Sequence, residues 1–114
     1  MIKHGLNKQL ATAVLGLSLG LANSAVAGDA AAGETKSQQC ASCHGADGKA
    51  ISDQFPNLAG QYEDYLRQSL KQYRSGERAN AIMGAFATNL SDEDIADLAA
   101  YYAAQKGLGI LPVK

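Results

Sequence analysis

The sequence has few of the residues that build a large core or a disulfide framework. Its 114 residues include no tryptophan, two phenylalanines and two cysteines, so bulky core side chains are scarce and a disulfide-dense mini-protein is excluded. A net charge of −1 lacks the basic excess of nucleic-acid-binding proteins, and we expect no nucleic-acid partner. An apolar fraction of 46% with 18% charged residues excludes a disordered chain and a polytopic membrane protein. The length predicts one domain.

The first 27 residues show the three regions of a secretory signal peptide. Lys3 and Lys8 lie in a stretch without acidic residues, residues 10–21 are small or apolar, and Ala25-Val26-Ala27 is an A-x-A cleavage signature. An apolar run of this length is too short for a membrane span, which needs about 20 residues. We therefore predict that residues 1–27 are cleaved and that residues 28–114 form a periplasmic domain without a membrane span. The alternative is an uncleaved N-terminal anchor.

The rest of the chain has helical periodicity and no convincing strand pattern, so the predicted fold class is all-α. The clearest helix begins at the cap Ser91 and ends before Gly107, with Ile95, Leu98 and Tyr102 on one face. Three helices are predicted in all: about 30–40 after the cap Asp29, about 61–75 ending at Gly76, and the helix from Ser91. The second of them has an apolar face at helical spacing, made of Tyr62, Tyr65, Leu66, Leu70 and Tyr73.

Two segments between these helices are predicted to be irregular. Residues 45–60 contain three glycines and Pro56, which indicates a loop. Residues 77–90, which contain Met83, are predicted to hold at most one short turn.

The motif that carries chemistry is Cys40-Ala41-Ser42-Cys43-His44, or C-x-x-C-H. Two thiols at this spacing can each add to a haem vinyl group, and the adjacent histidine then lies under the ring with a nitrogen on the iron. This string is typical of covalent haem c attachment. We expect Cys40 and Cys43 to bind one haem c and His44 to ligate its iron.

Three other interpretations of the cysteine pair are weighed against haem attachment. A thioredoxin-like redox pair needs a βαβ context, which the sequence does not predict. A zinc site needs further cysteine or histidine ligands, and none remain after residue 44. A structural disulfide in an exported protein would make His44 incidental.

Met83 is the candidate for the sixth iron ligand. It is the only methionine left after removal of residues 1–27, and no histidine other than His44 remains. A His/Met pair is the ligand set of electron-transfer cytochromes. The alternative is that Met83 merely fills the core.

On these motifs the chain resembles the class I c-type cytochromes over about residues 29–106. It is similar to the small bacterial cytochromes of the c-553 group and to one half of dihaem cytochrome c4, and its single haem motif resembles the monohaem type. The matching segments are Gly33, Cys40–His44, Phe55–Gly60, Met83, Leu90–Ile95 and Leu98–Tyr102.

The resemblance implies a small cytochrome c fold and several residue roles. Pro56 matches the family proline whose carbonyl accepts a hydrogen bond from the haem-ligating imidazole, and Leu58 matches a haem-contacting position. Gly33 and Tyr101 match the pair at which the first and last helices cross. The family often has an aromatic residue on the first helix near this crossing, and this chain has only Thr35, Lys36 and Gln39 in that region.

The resemblance implies a periplasmic one-electron carrier that exchanges electrons with redox proteins, as a monomer or weak dimer. We see no acid–base or nucleophile constellation, so an enzyme is not expected. Asp92, Glu93, Asp94 and Asp97 fit a solvated, capped helix start. Two alternatives are a haem sensor whose Met83 ligand is labile and the electron-entry subunit of an oxidoreductase.

Overall fold

The computed structural model describes residues 13, 15–18, 20 and 26–107. This part of the chain contains five helices and no strand, which confirms the all-α prediction. None of its helices is long and apolar enough to cross a bilayer. The helices are α1 (Ala30–Lys36), α2 (Gln38–His44), α3 (Glu63–Ser75), α4 (Ala81–Ala87) and α5 (Asp92–Ala104).

The predicted first helix is wrong in one respect, because it is two helices that meet at Ser37. The Ser37 hydroxyl donates to the Glu34 carbonyl oxygen at 2.8 Å, and such local side-chain bonds compete with regular helix formation. The Ser37 carbonyl oxygen accepts from the amides of both Cys40 and Ala41. As a result α2 runs four residues past the predicted end and includes the whole segment to His44.

Helix α3 ends as predicted, at Gly76 in the left-handed conformation with φ of 82°. Its predicted apolar face is only partly correct. Leu66 is buried in the core, whereas Tyr62 precedes the helix and is 82% exposed and Tyr65 is also exposed. Tyr65, Leu70 and Tyr73 line a cleft, and of these three Leu70 also packs against the core.

The prediction of an irregular segment over 77–90 is also wrong, because helix α4 occupies Ala81–Ala87. Its N-cap is Asn80, whose side-chain oxygen accepts from the Met83 amide at 2.9 Å. Alanines, the strongest helix formers, begin and end this short helix. The prediction of an irregular segment did not take the Asn80 cap into account.

The core forms where α5 packs on α1 and α3. A Cβ atom on Gly33 would overlap the Asp97 carbonyl oxygen and lie 2.7 Å from the Tyr101 Cβ. Only glycine therefore permits this approach, and the predicted Gly33–Tyr101 crossing is confirmed. The Tyr101 hydroxyl continues across the core and donates to the Ala46 carbonyl oxygen at 2.6 Å.

An ion-pair cluster lies beside this crossing, in the region where the family often has an aromatic residue. The Lys36 ammonium lies 2.6 Å from the Asp97 carboxylate and 2.9 Å from that of Asp94. Asp97 also accepts from the Asp29 amide at 2.8 Å. The hydrogen bond from Lys36 lowers the pKa of Asp97 below its usual range. The Lys36 ion pairs thus join the last turn of α1 to α5. The Asp29 amide joins the start of α1 to the same carboxylate of α5.

We predict that Gly33→Ala destabilises the protein by about 3 kcal/mol, the upper end for overpacked cores. The added methyl meets backbone atoms of α5, which cannot rotate away, and this outweighs the gain of about 1 kcal/mol in helix propensity. Denaturant unfolding of the haem-loaded protein measures the change. Gly84→Ala is the control, because its Cβ would lie 3.8 Å from the Tyr73 oxygen. Equal stability of both variants would contradict the close crossing.

Candidate functional site

Both cysteines of the C-x-x-C-H segment lie on α2, one helical turn apart, and its histidine is the last residue of the helix. Cys40 and Cys43 are partly buried free thiols. Gly45 then ends α2 with a positive φ of 78°, which favours glycine. The chain therefore turns away immediately after His44, and α2 carries both thiols and the imidazole within its seven residues.

The His44 ring is buried and oriented by one hydrogen bond. Its Nδ1 atom lies 2.9 Å from the Pro56 carbonyl oxygen. Because a carbonyl can only accept, this contact assigns the proton to Nδ1 and leaves the Nε2 lone pair unprotonated. Phe55 lies against the ring edge-on, with 6.4 Å between the ring centroids. The ring is thus held in the tautomer that can bind a metal through Nε2.

The loop that presents Pro56 is anchored on both sides. The Gly48 carbonyl oxygen accepts from the amides of Leu58 at 2.7 Å and Ala59 at 3.1 Å. The Asn57 side chain accepts from the Ala50 amide at 2.7 Å. These bonds fix the backbone around Pro56 and place the Leu58 side chain in the lining of a cleft.

Two adjoining clefts, of about 190 and 170 Å³, open beside these residues. They share Cys40, His44, Pro56, Tyr73 and Met83 in their linings. The structure therefore brings four of the six predicted site residues to both clefts, while Cys43 lines one cleft and Leu58 the other. Met83 reaches this position from the first turn of α4.

The lining of the clefts is mostly apolar. Apart from His44, the one ionisable side chain of strong charge among these lining residues is Arg78. Its guanidinium lies 4.8 Å from the centre of the Tyr73 ring and 3.4 Å from the Ser69 hydroxyl oxygen. No carboxylate pairs with Arg78 among the described side chains. A flat apolar group that carries negative charge at one edge fits such a lining.

Sequence reasoning missed Arg78, Ser69 and the hydroxyl of Tyr102 as parts of this site. Arg78 follows the C-cap glycine of α3 and has no motif around it. Tyr102 was predicted only as part of an apolar helix face. The signals were weak, because each residue enters the cleft through contacts between distant parts of the chain.

The structure weakens the other interpretations of the cysteine pair. Within the described ranges no group of three or more histidine, cysteine, aspartate or glutamate side chains could hold a metal ion by itself, as a zinc site would require. The two cysteines are not joined as a disulfide. The absence of strands from residues 26–107 removes the βαβ context of a thioredoxin-like pair.

Comparison with known families decides the assignment. The family profile described as "Cytochrome c" matches residues 30–105. The chain belongs to the cytochrome c family. The domain is 53% identical over 83 residues to cytochrome c-554(548) of Halomonas halodenitrificans, a match covering 70% of this chain and 100% of that protein.

Cytochromes c4 are further relatives of this cytochrome c domain. The chain is 49% identical over 102 residues to cytochrome c4 of Pseudomonas aeruginosa, across 89% of this chain and 50% of the relative. The crystal structure of reduced cytochrome c4 from Pseudomonas stutzeri superposes with a TM-score of 0.69 at 41% identity, across 72% of this chain and 48% of that one. The chain therefore spans about half the length of the cytochrome c4 relatives.

Family membership implies haem c as the cofactor, and the residues present fit this group. The two free thiols have the attachment spacing, and the imidazole has its Nδ1 already engaged by Pro56. The apolar clefts between α2, α3 and α4 supply the surroundings that a porphyrin needs. The cofactor of this domain is therefore haem c, and the family role is electron transport.

Proposed function

We propose that the protein is a periplasmic one-electron carrier whose haem iron is ligated by His44 and Met83. The observation that carries this proposal is that one imidazole and one thioether line the same two clefts, next to the attachment cysteines. Haem c, when bound, supplies one-electron chemistry between ferrous and ferric iron. The roles below belong to the chain's own residues.

His44 acts as a fixed nitrogen ligand. The Pro56 carbonyl accepts the Nδ1 proton at 2.9 Å, which fixes the ring orientation and leaves Nε2 as the nitrogen that faces the iron. Burial of the ring, which is 6% exposed, keeps water from competing for either nitrogen. A ligand held this way changes position little when an electron arrives or leaves.

Met83 acts as the second permanent ligand. The hydrogen bond from its amide to Asn80 fixes the first turn of α4. The packing of α4 on α3 holds this helix in place. A thioether is a softer ligand than imidazole and favours ferrous iron, so the potential is high. Two ligands that stay bound in both redox states suit electron transfer and leave no place for a substrate.

Cys40 and Cys43 are proposed to hold the haem covalently, and Leu58 to pack on it. Arg78 is the cation of the lining and would pair with the haem carboxylates. The remaining lining excludes water, which lowers the reorganisation that accompanies electron transfer. No carboxylate lines either cleft among the described residues, and this gives an enzyme little support.

The wild-type spectrum tests the proposed ligand set. We expect low-spin haem in both redox states, a weak near-infrared sulfur–iron band in the oxidised protein, and no reaction of the reduced protein with carbon monoxide. Reversible one-electron titration at a single potential would accompany these spectra. A missing sulfur band with rapid carbon monoxide binding would instead favour a sensor with a labile Met83.

We further propose export with cleavage after Ala27. The described residues up to Ala27 are all exposed, whereas Gly28 packs against α5, where a Cβ atom would overlap the Ala96 carbonyl oxygen. The predicted cleavage site thus coincides with the start of the packed domain. The partners are redox proteins, and a monomer or weak dimer remains the predicted state.

We predict that the protein purified from the periplasm has the mass of residues 28–114 plus one haem. Cleavage at the A-x-A site gives this start, and two thioethers keep the haem on the chain during denaturation. Intact-mass spectrometry of the periplasmic fraction measures both. An exported protein that still carries residues 1–27 would contradict cleavage and favour the membrane anchor.

A further inference from the structure

The hydroxyl of Tyr102 is a buried polar group without a partner. Tyr102 is 4% exposed, and its hydroxyl forms no hydrogen bond within the described structure. The neighbouring Tyr101 provides the contrast, because its hydroxyl donates to the Ala46 carbonyl oxygen at 2.6 Å. A buried hydroxyl without a partner costs free energy. An acceptor that is present in the haem-loaded protein would remove this cost.

The position of the Tyr102 ring is fixed by its surroundings. A Cβ atom on Gly48 would lie 2.9 Å from the Tyr102 Cδ1 atom, so the ring lies directly on the Gly48 backbone. The Tyr102 carbonyl oxygen accepts from the Gly60 amide at 3.0 Å. Tyr101 packs edge-on, with 5.1 Å between the ring centroids. The hydroxyl therefore cannot reach solvent by a small rotation and remains in the cleft lining.

Burial raises the pKa of this hydroxyl, and its neighbours Cys40 and Ser37 have smaller effects on that pKa. Ser37 is the N-cap of α2 and lies one turn before Cys40. The Ser37 hydroxyl already donates to the Glu34 carbonyl oxygen. Cys40 packs against the core cluster that contains Tyr102, and burial raises the pKa of its thiol. The Ser37 oxygen and the thiol sulfur can both accept as well as donate, but neither accepts from the Tyr102 hydroxyl in this structure.

Haem attachment, the proposed role of Cys40, changes the hydrogen-bonding character of this sulfur. The thiol adds across a vinyl double bond: a sulfur–carbon bond forms, the thiol hydrogen goes to the other vinyl carbon, and no oxidant or reductant is consumed. The resulting thioether sulfur has no hydrogen and can only accept. Among the residues that line the same cleft as Cys40, the Tyr102 hydroxyl is the buried donor without a partner in the described structure.

We propose that Tyr102 donates a hydrogen bond from its hydroxyl to the Cys40 sulfur once that sulfur is a thioether. Tyr102 is thus a positioning residue, which holds the attachment sulfur through its hydroxyl and the haem edge through the sulfur. The inference rests on the proposed role of Cys40 but not on the identity of the sixth ligand. Donation to the sulfur withdraws electron density from the porphyrin, which favours the reduced state.

The test compares Tyr102→Phe with Tyr101→Phe in the haem-loaded protein. Each variant keeps its ring and loses one hydroxyl, and the Tyr101 hydroxyl bonds to backbone far from the sulfur. We expect both variants to lower the denaturant midpoint, but only Tyr102→Phe to lower the potential. Proton NMR of the reduced wild type should show a Tyr102 hydroxyl proton that exchanges slowly and has a cross-peak to the Cys40 β-protons.

Several outcomes would overturn the proposal. A Tyr102→Phe protein that is more stable than wild type shows that the hydroxyl stays unpaired. A cross-peak to Ser37 alone would show that the Tyr102 hydroxyl bonds to Ser37 and not to the sulfur. Equal potentials in both variants would show that the Tyr102 hydroxyl has no effect through the sulfur. Failure of the wild-type protein to acquire haem would contradict the proposed function itself, and this is recognised before either variant is compared.

Discussion

Met83→Ala is expected to abolish the near-infrared sulfur–iron band, lower the potential and open the iron to carbon monoxide. The thioether is the only methionine sulfur in residues 28–114, and alanine supplies no ligand in its place. Loss of the ligand that favours ferrous iron moves the potential toward the low end of the ~0.8 V range that haem axial ligands span. Oxidised and reduced spectra, a potentiometric titration and carbon monoxide binding measure the three effects.

Two further variants separate ligation from packing at this position. Ile82→Ala removes a neighbouring side chain that lines one of the same clefts but carries no ligand atom, and it should leave the sulfur band unchanged. Met83→His should remain low-spin but with a lower potential, because imidazole favours ferric iron more than a thioether does. If Met83→Ala keeps the band and still excludes carbon monoxide, Met83 is a packing residue and the ligand assignment is wrong.

The elements that local sequence signals specify were predictable. Helix α5 has a capping box in which Ser91 and Asp94 bond to each other's backbone amides. The consecutive residues Ser91, Asp92, Glu93 and Asp94 predict this helix start from the sequence. The left-handed glycine after α3 is equally local. The heme-attachment segment needs only five consecutive residues to be recognised. In each case neighbouring residues supply the physical cause.

The features that the sequence did not predict depend on distant contacts or on competing local signals. Helix α4 has a good cap in Asn80, but Gly84 and the preceding Gly76 argue against a helix, and packing on α3 decides the outcome. The pairing of Lys36 with Asp97 joins positions 61 residues apart. The unpaired Tyr102 hydroxyl can be recognised only when the packing of Cys40 and Gly48 around Tyr102 is known. No pattern along the chain indicates such contacts.

The exposed aromatic face of α3 is a related case. Periodicity correctly grouped Tyr65, Leu70 and Tyr73, but it cannot distinguish a face that packs on protein from one that packs on a cofactor. All three line the cleft, and only Leu70 among them also packs against the core. The helical pattern therefore predicts that this face of α3 is buried. We expect the haem to cover part of the face.

Replacing both attachment cysteines is expected to have the largest effect on the protein itself. In the Cys40→Ala/Cys43→Ala double variant neither thioether can form, so haem staining of a denaturing gel should fall to background. Each single variant should retain at most one bond and lose most of the haem-loaded yield. Ser42→Ala is the matched control, because Ser42 lies between the two thiols and its hydroxyl bonds only to the Gln39 carbonyl oxygen.

The double variant should also be largely unfolded. A domain of this size buries a modest share of its surface, and the side chains around the two clefts, including Leu58 and Leu70, would face water without the haem. Far-UV circular dichroism should therefore show weak helicity and no cooperative melting, whereas Ser42→Ala should melt as the wild type does. A double variant that stains for haem would contradict covalent attachment. One that lacks haem yet melts cooperatively would show that the contacts of α5 with α1 and α3 are sufficient for folding, and that the haem is a ligand of a preformed fold rather than part of its core.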